Sequence, residues 1–170
     1  MFSRLLKKIF KLIGRKLFKM QCFQNSEFYS LDKYLDYREF RYIMMIHEVY
    51  KKIENVPGHI IELGVARGRN SILFANIIKS YNDDSRRYYG FDTFSGYTEE
   101  DLKNNTNLSS DTWKNSYEFV HSRISSNGYS NIVTLIKGDI KKTIPNFVDK
   151  NKEIKIAIVY IDCNAYEPAI

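Results

Sequence analysis

The 170 residues include only two cysteines, three prolines, one tryptophan and three histidines, and each scarcity closes a class of explanation. Cys22 and Cys163 lie far apart and in contexts without metal-ligand spacing. They give no disulfide framework, and a reducing, cytoplasmic compartment is expected. His47, His59 and His121 form no HxxxH or HxH pair, which argues against a zinc site. No stretch approaches the roughly 20 apolar residues that a bilayer-crossing helix needs. Lysines recur too often near the N-terminus for the uninterrupted apolar core of a secretory signal. Two phosphate-cradling patterns are also missing: GxxxxGK[ST], and GxGxxG followed by an acid about 20 residues on. A dinucleotide or a nucleoside triphosphate is therefore a poor candidate ligand.

What is present is the composition of an ordinary folded domain, 44% hydrophobic and 27% charged. The net charge of +6 is unevenly placed, because no acid precedes Glu27 while Arg4, Lys7, Lys8, Lys11, Arg15, Lys16 and Lys19 do. Without those seven, 19 basic residues face 20 acidic ones. The body is close to neutral, which argues against nucleic acid as a partner. Wound as a helix, residues 2–20 gather Phe2, Leu5, Leu6, Ile9, Leu12, Ile13, Leu17 and Met20 on one side. Most of the basic residues gather on the other. Two readings fit equally: a helix lying in an anionic membrane interface as a peripheral contact, or one packed on its own domain or a partner subunit.

Beyond a polar connection, Tyr37 to Ile53 has helical spacing and stops before Pro57-Gly58. The chain then alternates: strand His59–Gly64, helix Asn70–Ser80, strand Arg87–Asp92, helix Thr112–Ser125, strand Ile132–Lys137, helix Lys141–Lys150, strand Ile154–Ile161. Four strands separated by helices predict a parallel α/β sheet, and the runs IIEL and AIVYI suit strands buried on both faces. The polar stretch Tyr97 to Asp111 reads as a loop of the kind that covers a substrate. The expected organisation is a basic helix over 1–22, a helical lead-in over 23–57 and an α/β domain over 58–170. Because a buried parallel strand needs neighbours, the ending so soon after Ile161 predicts a sheet truncated after its fourth strand.

In such sheets ligands sit beyond the carboxyl ends of the strands. The first strand ends in Glu62-Leu-Gly64-Val-Ala-Arg67-Gly68, an ExGxxxG pattern. Gly64 permits a sharp turn, and Gly68 permits a ligand to approach the backbone at a helix N-terminus. An ordinary glycine turn would read the same. The second strand ends at Asp92, placed either for two ribose hydroxyls or as a helix cap. The third ends at Asp139, where a carboxylate can accept an exocyclic adenine amine. Three acids at three strand ends describe a pocket for an adenosine ligand without a phosphate cradle.

Four segments in order, GHIIELGVARGRNS, GFDTFSG, VTLIKGDIKKTIP and YIDCNAYEP, resemble the macrocin O-methyltransferase-like (TylF-type) family of S-adenosylmethionine-dependent enzymes. The resemblance runs from about Tyr37 to the end. It implies a Rossmann-like class I methyltransferase fold, with Glu62, Gly64 and Gly68 shaping the S-adenosylmethionine loop, Asp92 holding the ribose, and Asp139 with Ile140 framing the adenine. It also implies O-methylation of a sugar or another small polyhydroxyl acceptor with the help of magnesium, Asp162 being the first metal ligand or the base. Further metal carboxylates would lie beyond Ile170. The chain departs from the family at Arg69, where glycine is common, and at Asn164, where an acid is common. Against active enzyme stand two alternatives, a catalytically inert cofactor-binding fragment and a membrane-surface adaptor that depends only on residues 1–20. The residues leave the acceptor and any homo-oligomer open.

Overall fold

A computed structural model describes residues 35–104, 107, 109 and 114–163. The expected basic helix over residues 2–20, residues 23–34 of the lead-in and the last seven residues lie outside those described. The chain divides into two units, Met1–Met45 and Ile46–Ile170. Helix α1 (Tyr37–Ile53) carries the boundary. In the first unit Asp36 starts this helix: its Oδ1 accepts the amides of Arg38 at 2.9 Å and Glu39 at 3.0 Å. A carboxylate there satisfies two amides that have no helical partner.

The second unit is organised by four parallel strands, β1 (His59–Leu63), β2 (Tyr88–Asp92), β3 (Val133–Lys137) and β4 (Ile156–Ile161), in the order β3-β2-β1-β4. Parallel neighbours require crossovers, supplied by α2 (Arg69–Ser80) after β1, α3 (Glu99–Asn104) and α4 (Tyr117–Ser126) after β2, and α5 (Ile140–Lys150) after β3. The chain works outward from β1 to β3, then returns across the sheet to lay β4 against the free side of β1. The carboxyl ends of β1 and β4 therefore flank the point where the strand order reverses, the usual ligand crevice of open α/β sheets.

Alternation along the strands divides the core in two. Ile61, Leu63, Phe91 and Ile140 form a buried cluster beneath α5, joined by Tyr89, Ile144 and Phe147. On the opposite face Ile60, Tyr88 and Phe74 are fully buried. Each such side chain contributes about 1.5–3 kcal/mol by leaving water. The strands and long helices of the second unit begin and end within about five residues of the sequence expectation. The polar stretch after Tyr97 is the exception, since it contains the short helix α3. Thr98 and Asp101 explain it: Asp101 Oδ2 accepts the Thr98 amide at 2.9 Å, and Thr98 Oγ1 accepts the Asp101 amide at 3.2 Å. This reciprocal cap, with three acids in the first turn, starts a helix in an otherwise polar run. No described helix is long and apolar enough to cross a membrane.

The amino ends of the strands are tied by one buried arginine. Arg86, 3% exposed, donates to Asp83 Oδ2 at 2.7 Å, to the Gly58 carbonyl at 2.7 Å, and to the Ile53 and Val56 carbonyls at 3.0 and 3.1 Å. It thereby caps the last turn of α1 while holding the entries to β1 and β2. The Tyr50 hydroxyl donates to the same Asp83 oxygen at 2.9 Å, and burial together with that carboxylate pushes the phenol up to about 12. Burial opposes ionisation of Asp83, but Arg86, Ser85 and Tyr50 outweigh it and hold the carboxyl below its ordinary value.

Candidate functional site

At the carboxyl ends three backbones meet at Gly64. Its amide donates to the Phe91 carbonyl at 2.9 Å, and beside it the Asp162 amide donates to the Leu63 carbonyl at 2.8 Å. Gly64 has φ +94°, and a β-carbon there would lie 2.7 Å from the Asp162 carbonyl oxygen. Any side chain would drive β4 from β1. Gly68, at φ +75°, starts α2 and lies against Val120 of α4. That helix also reaches the loop through Arg123, whose guanidinium donates to the Arg67 carbonyl, while Arg67 Nε donates to Asn115 Oδ1 at 3.3 Å.

Glu62 does not line an open wall. It is fully buried at mid-sheet, where Oε1 accepts from Asn70 Nδ2 at 2.7 Å and Oε2 accepts from the Tyr88 hydroxyl. Ser71 Oγ in turn donates to the Tyr88 hydroxyl at 3.0 Å. Tyr88 reaches Glu62 because Gly90, the register partner of Glu62, leaves the space along β2 empty; a β-carbon at Gly90 would lie 3.1 Å from the Tyr88 ring. Burial pushes the Glu62 carboxyl well above the usual range; Asn70 opposes this, and the negative charges of Asp162 and Asp92 add to it. Glu62 thus fixes the first turn of α2 to β2 beneath the glycine loop.

Asp92 is the anchor of the surrounding backbone. Its Oδ2 accepts the amides of Val65 at 2.8 Å and Ala66 at 2.9 Å, and its Oδ1 accepts that of Phe94 at 2.7 Å. Ala66 and Phe94 both hold positive φ, 49° and 55°. Such residues cost about 1–3 kcal/mol unless their surroundings hold them, and one carboxylate holds both. Asp139 starts α5, with Oδ1 accepting the Lys141 amide at 3.0 Å. Ile140 points into the core beneath α5, so only its backbone borders the strand end. Over this rim lies α3, joined to α5 by Glu100 and Lys141 at 2.8 Å.

Asp162 stands exposed at the end of β4, and its Oδ2 accepts from Asn70 Nδ2 at 3.3 Å. Glu62, Asp92 and Asp162 therefore converge on the switch point, with Asp139 one strand further out. Among the described residues none of these four carboxylates forms an ion pair with lysine or arginine. Sequence reasoning found the four acids and missed Asn70 and Tyr88. The pattern Tyr88-x-Gly90, a tyrosine beside a vacant position on the same strand face, was a usable signal. Asn70 was not recoverable, because its second partner lies 92 residues away.

The family model described as macrocin-O-methyltransferase (TylF) matches residues 41–170. The chain belongs to the TylF family. This agrees with the resemblance carried by the four sequence segments. The fold is likewise similar to that of solved O-methyltransferases. A structure of CalS11, the calicheamicin methyltransferase, aligns at TM-score 0.72 and 25% identity over 91% of this chain and 66% of that one. The apo structure of CalS11, described as a TDP-rhamnose 3'-O-methyltransferase, aligns at 0.62 and 25% over 91% and 65%. The O-methyltransferase NovP aligns at 0.61 and 23% over 74% and 55%, a likeness of fold alone. This TylF-family chain thus spans just under two thirds of the length of CalS11. No curated protein matches it.

Proposed function

We propose that the chain binds S-adenosylmethionine across the carboxyl ends of β1 to β3 and directs its methyl group to a hydroxyl of a sugar or similar small polyhydroxyl acceptor. The observation that carries this reading is the set of carboxylates at the switch point that, among the described residues, have no lysine or arginine ion-pair partner. Such a site favours a cationic ligand. Family membership selects S-adenosylmethionine from among cations, and the sugar methyltransferase CalS11 motivates the acceptor class.

The residues fit that ligand. The loop from Gly64 to Gly68 is held in position before any ligand arrives, since Asp92 already fixes Val65, Ala66 and Phe94. Preorganisation of this kind lowers the ordering cost of binding. Asp92 Oδ1, with one described amide donor, has capacity for a ribose hydroxyl, and Asp139 Oδ2, with no described donor, has capacity for an adenine amine. When bound, the sulfonium supplies an electrophilic methyl for in-line displacement. The chain's task is then to orient the acceptor oxygen and to take its proton as the new C–O bond forms. Asp162, exposed on the acceptor side of Gly64, is the candidate base. Magnesium is a weaker fit: among the described residues no three acidic, histidine or cysteine side chains gather as a metal site. Asp162 alone is too few oxygen ligands for that ion, and no step here runs through a metal.

Titration calorimetry of the folded chain with S-adenosylmethionine tests the reading. Saturable binding is expected, weakened about 10-fold or more by Asp92→Ala, which loses both the loop anchor and the ribose acceptor. A folded sample that takes up no S-adenosylmethionine, with or without magnesium, overturns it.

A further inference from the structure

Asn70 occupies a place that the proposed chemistry has not yet used. It sits in the first turn of α2, 6% exposed, directly after the glycine loop. Its amide nitrogen faces two carboxylate oxygens: Glu62 Oε1 at 2.7 Å, from the last residue but one of β1, and Asp162 Oδ2 at 3.3 Å, just beyond β4. A primary amide carries two N–H bonds on that one nitrogen, one for each carboxylate. The shorter contact anchors the amide to a fully buried group that Tyr88 and Ser71 hold from the other side. The longer one reaches an exposed carboxylate whose side chain has no other described donor. The backbone at Asp162 is fixed through Leu63, but its carboxylate direction is set by Asn70.

We infer that Asn70 is a positioning residue: it aligns the acceptor-side carboxylate Asp162 with the cofactor loop by bridging it to buried Glu62. Resting on the reading of the cleft as an S-adenosylmethionine site, the inference adds how the two halves of that cleft are kept in register. Its consequence is directional. The bond between Asn70 Nδ2 and Asp162 Oδ2 restrains both groups, but Asn70 is also anchored by Glu62, whereas the Asp162 side chain has no other described donor. Loss of the amide frees Asp162 to rotate into solvent and removes one of the restraints on the first turn of α2.

A reciprocal exchange tests it on the full chain. Asn70→Asp keeps the size of the side chain but removes both donors and sets a third carboxylate between two others. Asp162→Asn in the same molecule returns an amide donor to the partner position. Both readouts are taken on wild type, each single variant and the exchange: the unfolding midpoint without ligand, and S-adenosylmethionine affinity by calorimetry. Asn70→Asp is expected to lower the midpoint and to weaken affinity about 10-fold, despite an added negative charge that should attract a cation. Asp162→Asn added to it should recover at least threefold of that affinity and part of the midpoint, while giving no gain to the wild type. If the exchange recovers neither quantity, the bridge is refuted. Recovery of the midpoint without recovery of affinity refutes the positioning role and leaves a purely structural contact. Should wild type itself bind no S-adenosylmethionine, the cofactor reading fails, and the unliganded midpoints alone then decide whether the bridge exists.

Discussion

The two ends of the sheet solve opposite problems with similar residues. At the amino ends Arg86 brings a buried positive charge, and every one of its described donors is matched by Asp83 or a backbone carbonyl. At the carboxyl ends Glu62, Asp92, Asp139 and Asp162 bring carboxylates that are answered by amides and hydroxyls but, among the described residues, by no ion-paired lysine or arginine. Hydrogen bonds satisfy the oxygens without cancelling the charge. The amino end is therefore electrostatically closed, and the carboxyl end is left to be completed by a cation. The pKa directions agree: the Asp83 carboxyl is held down, while Glu62, pushed up chiefly by burial, is pushed further by its neighbouring acids.

The largest effect should come from breaking the closed end. Arg86→Met removes the guanidinium and strands the Asp83 carboxylate and three carbonyls, and the loss of one member of a buried pair costs about 3–5 kcal/mol. Urea unfolding should show that loss, while calorimetry on the folded fraction should show S-adenosylmethionine affinity within about threefold of wild type. A change of affinity beyond tenfold would mean that the ends are coupled and the contrast between them is wrong. A smaller loss is expected from Gly64→Ala, about 1–3 kcal/mol for the positive φ alone. Here the contact with the Asp162 carbonyl adds strain that must be relieved by moving β4. Both stability and S-adenosylmethionine affinity should fall together in this variant, because Gly64 belongs to the open end. Affinity unchanged in a destabilised protein would place the ligand elsewhere.

How much of this was legible beforehand follows the range of the interactions. The alternation of apolar runs and the positions of Glu62, Asp92, Asp139 and Asp162 are local patterns, and the strands and strand-end acids were read directly from them. What a strand-end acid does there is a different matter. Asp92 looked like a ribose ligand or a cap, and it turns out to brace two loops at once, because Ala66 and Phe94 both need an acceptor that only the folded sheet brings near. Helix α3 was hidden because its stabilisation is a reciprocal cap and a pair with Lys141, 41 residues on, rather than an apolar period. The Asn70–Asp162 bond and the Arg86 bonds to the Gly58, Ile53 and Val56 carbonyls join residues 28 to 92 apart, beyond the reach of any spacing rule.

The smallest predicted effect is also the one that most directly reads the charge at the open end. A carboxyl whose folded pKa is raised binds its proton more tightly in the folded chain. The Glu62 contribution to stability is therefore full below its unfolded value, near about 4.3, and is lost as pH rises through the higher folded value. Asp83 works in the other sense: its contribution is present above about 3.9 and lost only as pH falls through the lowered folded value. His59, held low by burial and then by Arg87 and Arg86, also loses its contribution as pH falls, so it opposes Glu62 in the same range. Comparison with Glu62→Gln removes that interference, since both proteins contain His59 and Asp83. The glutamine keeps a carbonyl for Asn70 and places an amide toward Tyr88, so shape is retained while the titration is not. Unfolding midpoints measured from about pH 5 to pH 8 should fall more steeply with rising pH in wild type than in Glu62→Gln. Parallel curves would show that burial and the neighbouring acids do not raise the Glu62 pKa in the folded chain, and the open end would then lose a feature that distinguishes it from the closed one.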